Sequence, residues 1–293
     1  VTSGKIIFCE GKSQSLDYQL LDRILSDLIP KGLITVVPAG SKFTFPIFAQ
    51  GYFASNTNNA ERPEFIVFRD RDFDAEPTGD IKLLKRDSMF LSYRACIENY
   101  LLDANLIHAY WEEKCQENIE YPSLRKWGHG NSPGIETIST WIEESAKDLK
   151  DYQSVRWALG DLASLSEARE HLKTTWMKNS GHLPEQLELQ YCHEKAIELI
   201  SQFRQSVDQI TGEHFEEGLK KYQELFSQQE FWQQKQYMVW FHGKDMQKAM
   251  QKRKMSYISL KDFNEWATKH VDITQHQDLL ELQERVKELE ISH

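Results

Sequence analysis

Apolar residues along this chain alternate between short unbroken runs and helical spacing, and each change of period marks an element. Residues 5–9 read KIIFC, with Ile6, Ile7 and Phe8 consecutive and a Glu-Gly pair close behind. A short apolar run stopped by turn residues predicts a buried strand. The period then lengthens: Leu16, Leu20, Leu21, Ile24, Leu25 and Leu28 recur three and four residues apart. That spacing predicts a helix with one apolar face, with Ser13 or Ser15 as N-cap and Pro30 and Gly32 as its stop. LITVVPAG at 33–40 returns to strand, and a looser aromatic stretch leads into the turn-rich SNTNNAERP at 55–63. EFIVFRDRDFD at 64–74 predicts a third strand that ends in acids, and DSMFLSYRACIENYLL at 87–102 a fourth strand running into a helix. Strand, helix, strand, connector, strand, strand is the order of a mostly parallel α/β sheet. In such sheets ligand groups lie at the strand ends.

Beyond residue 103 the texture changes. ETISTWIEESAKDL at 136–149 and QYCHEKAIELISQFRQSVDQI at 190–210 are long amphipathic stretches with little Gly or Pro. VWFHGKDMQKAMQKRKM, SLKDFNEWATKHV and DLLELQERVKELE, all after residue 238, are helical again. The expected organisation is a sheet core over 1–103, a helical insertion over 104–236, and a C-terminal helical segment over 237–293 that completes the site. The tryptophans at 111, 127, 141, 157 and 176 fall in helical stretches and are expected in the core.

Composition narrows the partners. With 35 basic and 45 acidic residues, the formal net charge of −10 gives no global attraction to nucleic acid. Any such binding must use a local basic patch or metal ions. The four cysteines form no CxxC pair, which removes the zinc-ribbon reading. No apolar run approaches the roughly 18 residues of a membrane span, and no secretory leader pattern is present. A cytoplasmic, reducing setting without a membrane partner is expected. The chain begins at Val1, so its natural start is left open.

The chemistry concentrates in the acids. Glu10 follows the first strand, which alone describes an ordinary solvated turn. Asp70, Asp72 and Asp74 alternate in FRDRDFD; if extended, they share one face. Like charges so close are best tolerated around a divalent cation, and all-oxygen ligands suit Mg2+ or Mn2+ rather than zinc. A solvated acidic turn is the plain alternative. Lys248 and Lys252, one helical turn apart, belong with Arg253 and Lys254 to the most basic run, which reads either as a solvated helix face or as a track for a nucleic-acid backbone. His129 and His242 have no nucleophile motif around them and are expected to be structural.

The glutamate of CEGK and the DxD of FRDRDFD, in this order of elements, resemble the TOPRIM nucleases, primases and topoisomerases. RACIENYLL at 94–102 and HGKD at 242–245 resemble a TOPRIM-like group encoded beside ABC-type ATPases, and the best match is to the TOPRIM effector subunits of the PARIS phage-defence system, relatives of the OLD-family nucleases. The resemblance implies a TOPRIM-type α/β fold with a large helical insertion and metal-dependent cleavage of a phosphodiester. It implies that Glu10, Asp70 and Asp72 anchor a Mg2+ or Mn2+ ion, with Glu10 alternatively a general base. Glu98 would serve a second metal, and Lys244 would stand near the scissile phosphate. Asp74 is left outside this set, as a second-sphere group. Lys12 is left between phosphate contact and plain solvation. Glu98 has a structural alternative too, as the i,i+4 partner of Arg94. Where OLD-type enzymes carry a second acid after the first glutamate, this chain has Gln14, a poorer ligand.

The resemblance further implies an endoribonuclease that cuts host tRNA in abortive infection. An ABC-type ATPase would hold it inactive, a phage anti-restriction protein would be the indirect trigger, and the released effector would form a homodimer. An OLD-type DNA nuclease and a non-catalytic scaffold for the ATPase are the alternatives. The helical remainder is too small, and lacks the tyrosine-centred domain, for a topoisomerase.

Overall fold

A computed structural model describes residues 5–26, 34–40, 65–86, 89–122, 130–164, 174–177, 183–204, 210–253 and 258–289. Leu28, Pro30, Gly32, the 55–63 turn, Trp127, His129 and Lys254 lie outside them. The chain divides into two compact units. One comprises Val1–Arg71, Pro77–Leu101 and Asn264–His293; the other comprises Asp72–Glu76 and Leu102–Phe263. Residues 237–263 therefore group with the helices before them, and the last thirty residues with the sheet.

The sheet unit is α/β. Strands β1 (Lys5–Cys9), β2 (Ile34–Pro38), β3 (Phe65–Arg69), β4 (Leu84–Arg86) and β5 (Met89–Leu91) form one sheet in the order β2-β1-β3-β5-β4. All neighbours are parallel except β4, which runs antiparallel to β5. Register places Ile7 beside Val36 and Ile66, and Phe68 beside Phe90. Ile6, Phe8, Val37, Ala39 and Val67 pack as one buried cluster, with Phe65 and Met89 at its margin. Ile6 and Phe8 stand two apart on β1, so they project to the same face. Helix α1 (Leu16–Ser26) begins where the Ser15 hydroxyl accepts the Tyr18 N–H, 3.3 Å, and buries Leu20, Leu21, Ile24 and Leu25. The N-cap expected from the sequence is thus Ser15. The three residues of β4 carry no apolar alternation, which is why periodicity gives no sign of that strand.

Among the described residues the remaining α-helices are α2 (Glu98–Leu101), α3 (Ala104–Glu120), α4 (Ile135–Ser164), α5 (Leu189–Arg204), α6 (Gly212–Ser227), α7 (Gln229–Gln233), α8 (Tyr237–Trp240), α9 (Gly243–Arg253), α10 (Leu260–His270) and α11 (Gln277–Glu288), with a 3-10 turn at Ile273–Gln275. Helix α11 closes the described part of the sheet unit. Lys5, 5% exposed at the start of β1, donates to Val286 O at 2.8 Å and Lys287 O at 2.7 Å. Its ammonium satisfies carbonyls that the end of a helix leaves without partners. Gln283 Nε2 reaches Ile24 O at 2.6 Å, and Glu281 accepts the Leu83 N–H at 2.8 Å.

The helical unit is built on α4. Gly218 of α6 lies against Ala158, where a Cβ would stand at 3.4 Å, so the two helices approach closely. Trp157 is fully buried, with Phe73, Tyr222 and Trp240 around it at ring distances of 5.0–5.5 Å. Phe73 comes from the short segment 72–76. A Cβ on Gly160 would lie 2.7 Å from the Phe73 carbonyl oxygen, so only glycine admits that segment. Among the described residues, no helix is long and apolar enough to cross a membrane.

Candidate functional site

Strand order fixes where chemistry can gather. β2 lies on one side of β1 and β3 on the other. The chain therefore leaves β1 in one direction and returns on the opposite side, which makes the carboxyl ends of β1 and β3 a topological switch point, the usual crevice for ligands in such sheets. Glu10 follows β1 and Asp70 follows β3. The Glu-Gly pair has a steric cause: Gly11 has φ +87°, and a Cβ there would meet Ser15 Oγ at 2.5 Å. Its backbone pairs with Gly40, N–H to O at 2.7 Å and 3.1 Å, which fixes the turn carrying the partly buried Glu10. Lys12 is exposed in the same turn, and its carbonyl accepts the Ser15 N–H. Cys9, just before, has its thiol pushed up to about 12, by burial first and then by Asp17 and Glu10.

Asp70 is 3% exposed, and its Oδ1 accepts the Ile97 N–H at 3.0 Å. This bond draws the stretch after β5 over the end of β3. Ser92 strengthens the junction: its N–H donates to Arg69 O, and its hydroxyl accepts the Arg71 N–H and donates to Arg94 O. Arg71 Nε donates to Tyr93 O at 3.1 Å. Asn99 Oδ1 then accepts both the amide and the thiol of Cys96, each at 3.1 Å. The result is a group of three: ligand atoms of Asp70, Cys96 and Glu98, all buried, lie within 4.8 Å of one another. Arg94 turns to Asn99 O at 2.6 Å and covers the Tyr100 ring at 5.2 Å, so it is engaged away from the i,i+4 pairing with Glu98 weighed above.

The donor set fits a divalent ion. Two carboxylates nine-tenths buried stand close together here, an arrangement that a bound cation would neutralise. Asp70 and Glu98 are hard oxygen ligands of the kind Mg2+ and Mn2+ take; the Cys96 thiol is a softer donor that neither ion prefers, and its hydrogen goes to Asn99 Oδ1. Sequence reasoning missed Cys96; its position two residues before Glu98 was the available signal.

Asp72 and Lys244 belong to the other unit. β3 ends at Arg69, and Asp72 has φ +50°, so the backbone is not extended through Asp74 and the alternation of the three acids does not make a common face. Asp72 Oδ1 stands 3.2 Å from His242 Nε2. Phe73 stacks on the His242 ring at 5.9 Å and 12°. Behind it, Arg156 lies 4.2 Å over the Phe73 ring and forms a buried ion pair with Asp245, which also accepts Gln153 Nε2 at 2.7 Å. The His242 N–H donates to Gln153 Oε1 at 3.2 Å. The HGKD stretch thus uses His242 to hold Asp72 and Asp245 to hold Arg156, with the partly buried Lys244 between them in sequence.

The expected substrate cations separate by their partners. Lys252 Nζ donates to Pro184 O at 2.9 Å, and Arg253 pairs with Asp148 at 2.7 Å and with Glu144 at 3.9 Å. Lys248 is exposed on α9. In the sheet unit a cleft of about 490 Å³ lies beside the Gln14 turn, lined by Asp22, Arg23, Glu265 and Lys269 among others; its charges of both signs give it no preference for phosphate. No protein-family model matches the chain, and no curated protein matches it.

Proposed function

We propose that this protein is a metal-dependent endonuclease of the TOPRIM type, and that its substrate is RNA, with tRNA favoured. The observation that supports the reading is the meeting of Asp70, Cys96 and Glu98 at the carboxyl end of β3, beside the strand that Glu10 follows. A divalent ion, when bound there, would supply Lewis acidity. The chain's own groups would have separate tasks. Asp70 and Glu98 would hold the ion. Glu10, just past the end of the neighbouring strand, would take the proton of the attacking water. In the helical unit, Lys248, exposed on α9, would offer positive charge to a nucleic-acid backbone.

The biological setting rests on the resemblance carried by RACIENYLL and HGKD. In this proposal the protein is the toxic effector of an anti-phage system. An ABC-type ATPase restrains it, a phage anti-restriction protein triggers its release as a homodimer, and cleavage of tRNA halts translation.

The test is incubation of the purified chain, without partner, with total RNA and with supercoiled plasmid in Mg2+, Mn2+ or EDTA. Discrete tRNA fragments in either metal and none in EDTA are expected. Plasmid nicking without RNA cleavage would move the protein to the OLD-type DNA nucleases. Inertness toward both would leave the scaffold.

A further inference from the structure

Asp278 occupies the first turn of α11. An acid at that position normally sits at the surface, where the helix dipole favours it. Asp278 is 1% exposed instead. Its Oδ2 accepts the Tyr93 N–H at 3.1 Å and also the hydrogen bond of the buried Tyr100 hydroxyl. The same hydroxyl oxygen accepts the Arg94 N–H at 3.3 Å. The Tyr100 ring is enclosed by Arg94 on its face and His276 at its edge. One carboxylate, 185 and 178 positions away in sequence, therefore fixes both ends of the stretch 93–100.

Cys96 and Glu98 lie between those two ends. Residues 92–97 have no strand or helix ladder of their own; Ser92, Tyr93 and Ile97 tie the stretch to Arg69, Arg71 and Asp70 on the β3 side, and Asp278 holds it from the other. The helix that carries Asp278 is itself anchored at its far end, where Lys5 takes the Val286 and Lys287 carbonyls. The path from β1 through α11 to Tyr93 and Tyr100 is a brace that holds the donor-bearing loop from the side opposite β3.

We propose that Asp278 is a positioning residue for the Asp70–Cys96–Glu98 centre: through Tyr93 and Tyr100 it sets where Cys96 and Glu98 stand relative to Asp70, and so sets the affinity for the divalent ion. This rests on the reading of that cluster as a metal centre. Residues that orient metal ligands from outside the coordination sphere are each worth roughly ten- to a hundredfold in affinity.

The test is Mn2+ binding to the full chain, measured by calorimetry and by the electron paramagnetic resonance of the bound ion, with thermal melting alongside. Asp278→Ala is expected to weaken Mn2+ at least about tenfold and to alter the resonance. Asp278→Asn keeps an acceptor oxygen for both donors and should recover most of the affinity. Tyr100→Phe, which loses one of the two bonds, should fall between, and it decides the matter if Asp278→Ala does not fold. Glu281→Ala removes a different tie of the same helix, to Leu83, and should lower the melting temperature while leaving Mn2+ affinity unchanged. Wild-type affinity in folded Asp278→Ala, or in Tyr100→Phe, overturns the proposal. So does an equal loss in Glu281→Ala, which would make the brace merely structural. Absence of Mn2+ binding by the wild-type chain is a different failure: it removes the metal centre itself, and this inference with it.

Discussion

Asp70 and Asp72 stand two residues apart in one acidic motif, and the fold gives them different companions. Asp70 is buried in the sheet unit, bonded to a backbone amide and grouped with a thiol and a second carboxylate. Asp72, in a left-handed turn, belongs to the helical unit and faces His242. The same contrast recurs among the cations of α9: Lys252 and Arg253 are tied to Pro184 and Asp148 of their own unit, while Lys248 is exposed. Sequence spacing proposes which charges belong together; the partners each charge keeps decide it.

The largest effect expected from breaking this contrast lies in the helical unit. Asp245→Ala would leave Arg156 buried beside Phe73 without its carboxylate, and removal of one partner of a buried ion pair costs about 3–5 kcal/mol. Urea unfolding should show it. A loss below about 1 kcal/mol, the value of an exposed pair, would mean that water reaches the site.

Next is the direct comparison of the two acids. Asp70→Asn should weaken Mn2+ about a hundredfold, at or beyond the top of the range for outer-sphere partners. Asp72→Asn should cost less than about tenfold, with His242→Ala similar to it. Calorimetric titration of the three variants ranks them, and equal losses at Asp70 and Asp72 would restore the shared acidic face that the sequence suggests.

Those two acids also mark how far the sequence could be read. β1, α1 and β3 were legible because each is an unbroken or evenly spaced apolar pattern bounded by turn residues, and Ser15 is a local cap with a local signal. The order of elements placed Glu10 and Asp70 at strand ends. Three features were not legible. The left-handed backbone of Asp72 breaks an alternation that looked extended. β4 is too short to show a period. The contacts of Lys5 with the end of α11 and of Asp278 with Tyr100 join residues 178 or more positions apart, and no local pattern encodes them. His242, expected to be structural, stands beside Asp72 and Phe73.

A smaller effect separates the cations. Lys248→Ala should reduce the slope of log affinity for RNA against log salt by roughly one. Lys252→Ala should leave that slope unchanged and only lower the melting temperature slightly. Filter binding across a salt series distinguishes them, and equal slopes for the two variants would mean that both, or neither, meet phosphate.

The smallest effect is common to the two units. Cys9 and Cys192, one in each, have thiols pushed up to about 12, chiefly by burial. A group that holds its proton more tightly when folded stabilises the fold fully below its unfolded value, near 9, and that contribution disappears as pH rises toward 12. Melting temperature should therefore decline from about pH 9 upward. At pH 8 a thiol reagent should modify the partly exposed Cys115 first. Rapid labelling of Cys9 or Cys192 in the native protein would show that burial at these sites is incomplete.

The most direct test of the central claim is cleavage of end-labelled tRNA by the wild-type chain and by Glu98→Gln, each in Mg2+, Mn2+ and excess EDTA, with circular dichroism confirming that both are folded. Discrete fragments are expected from the wild type in either metal, none in EDTA, and none from Glu98→Gln under any condition. Cleavage that survives EDTA, or a folded Glu98→Gln that cuts as well as the wild type, would contradict it.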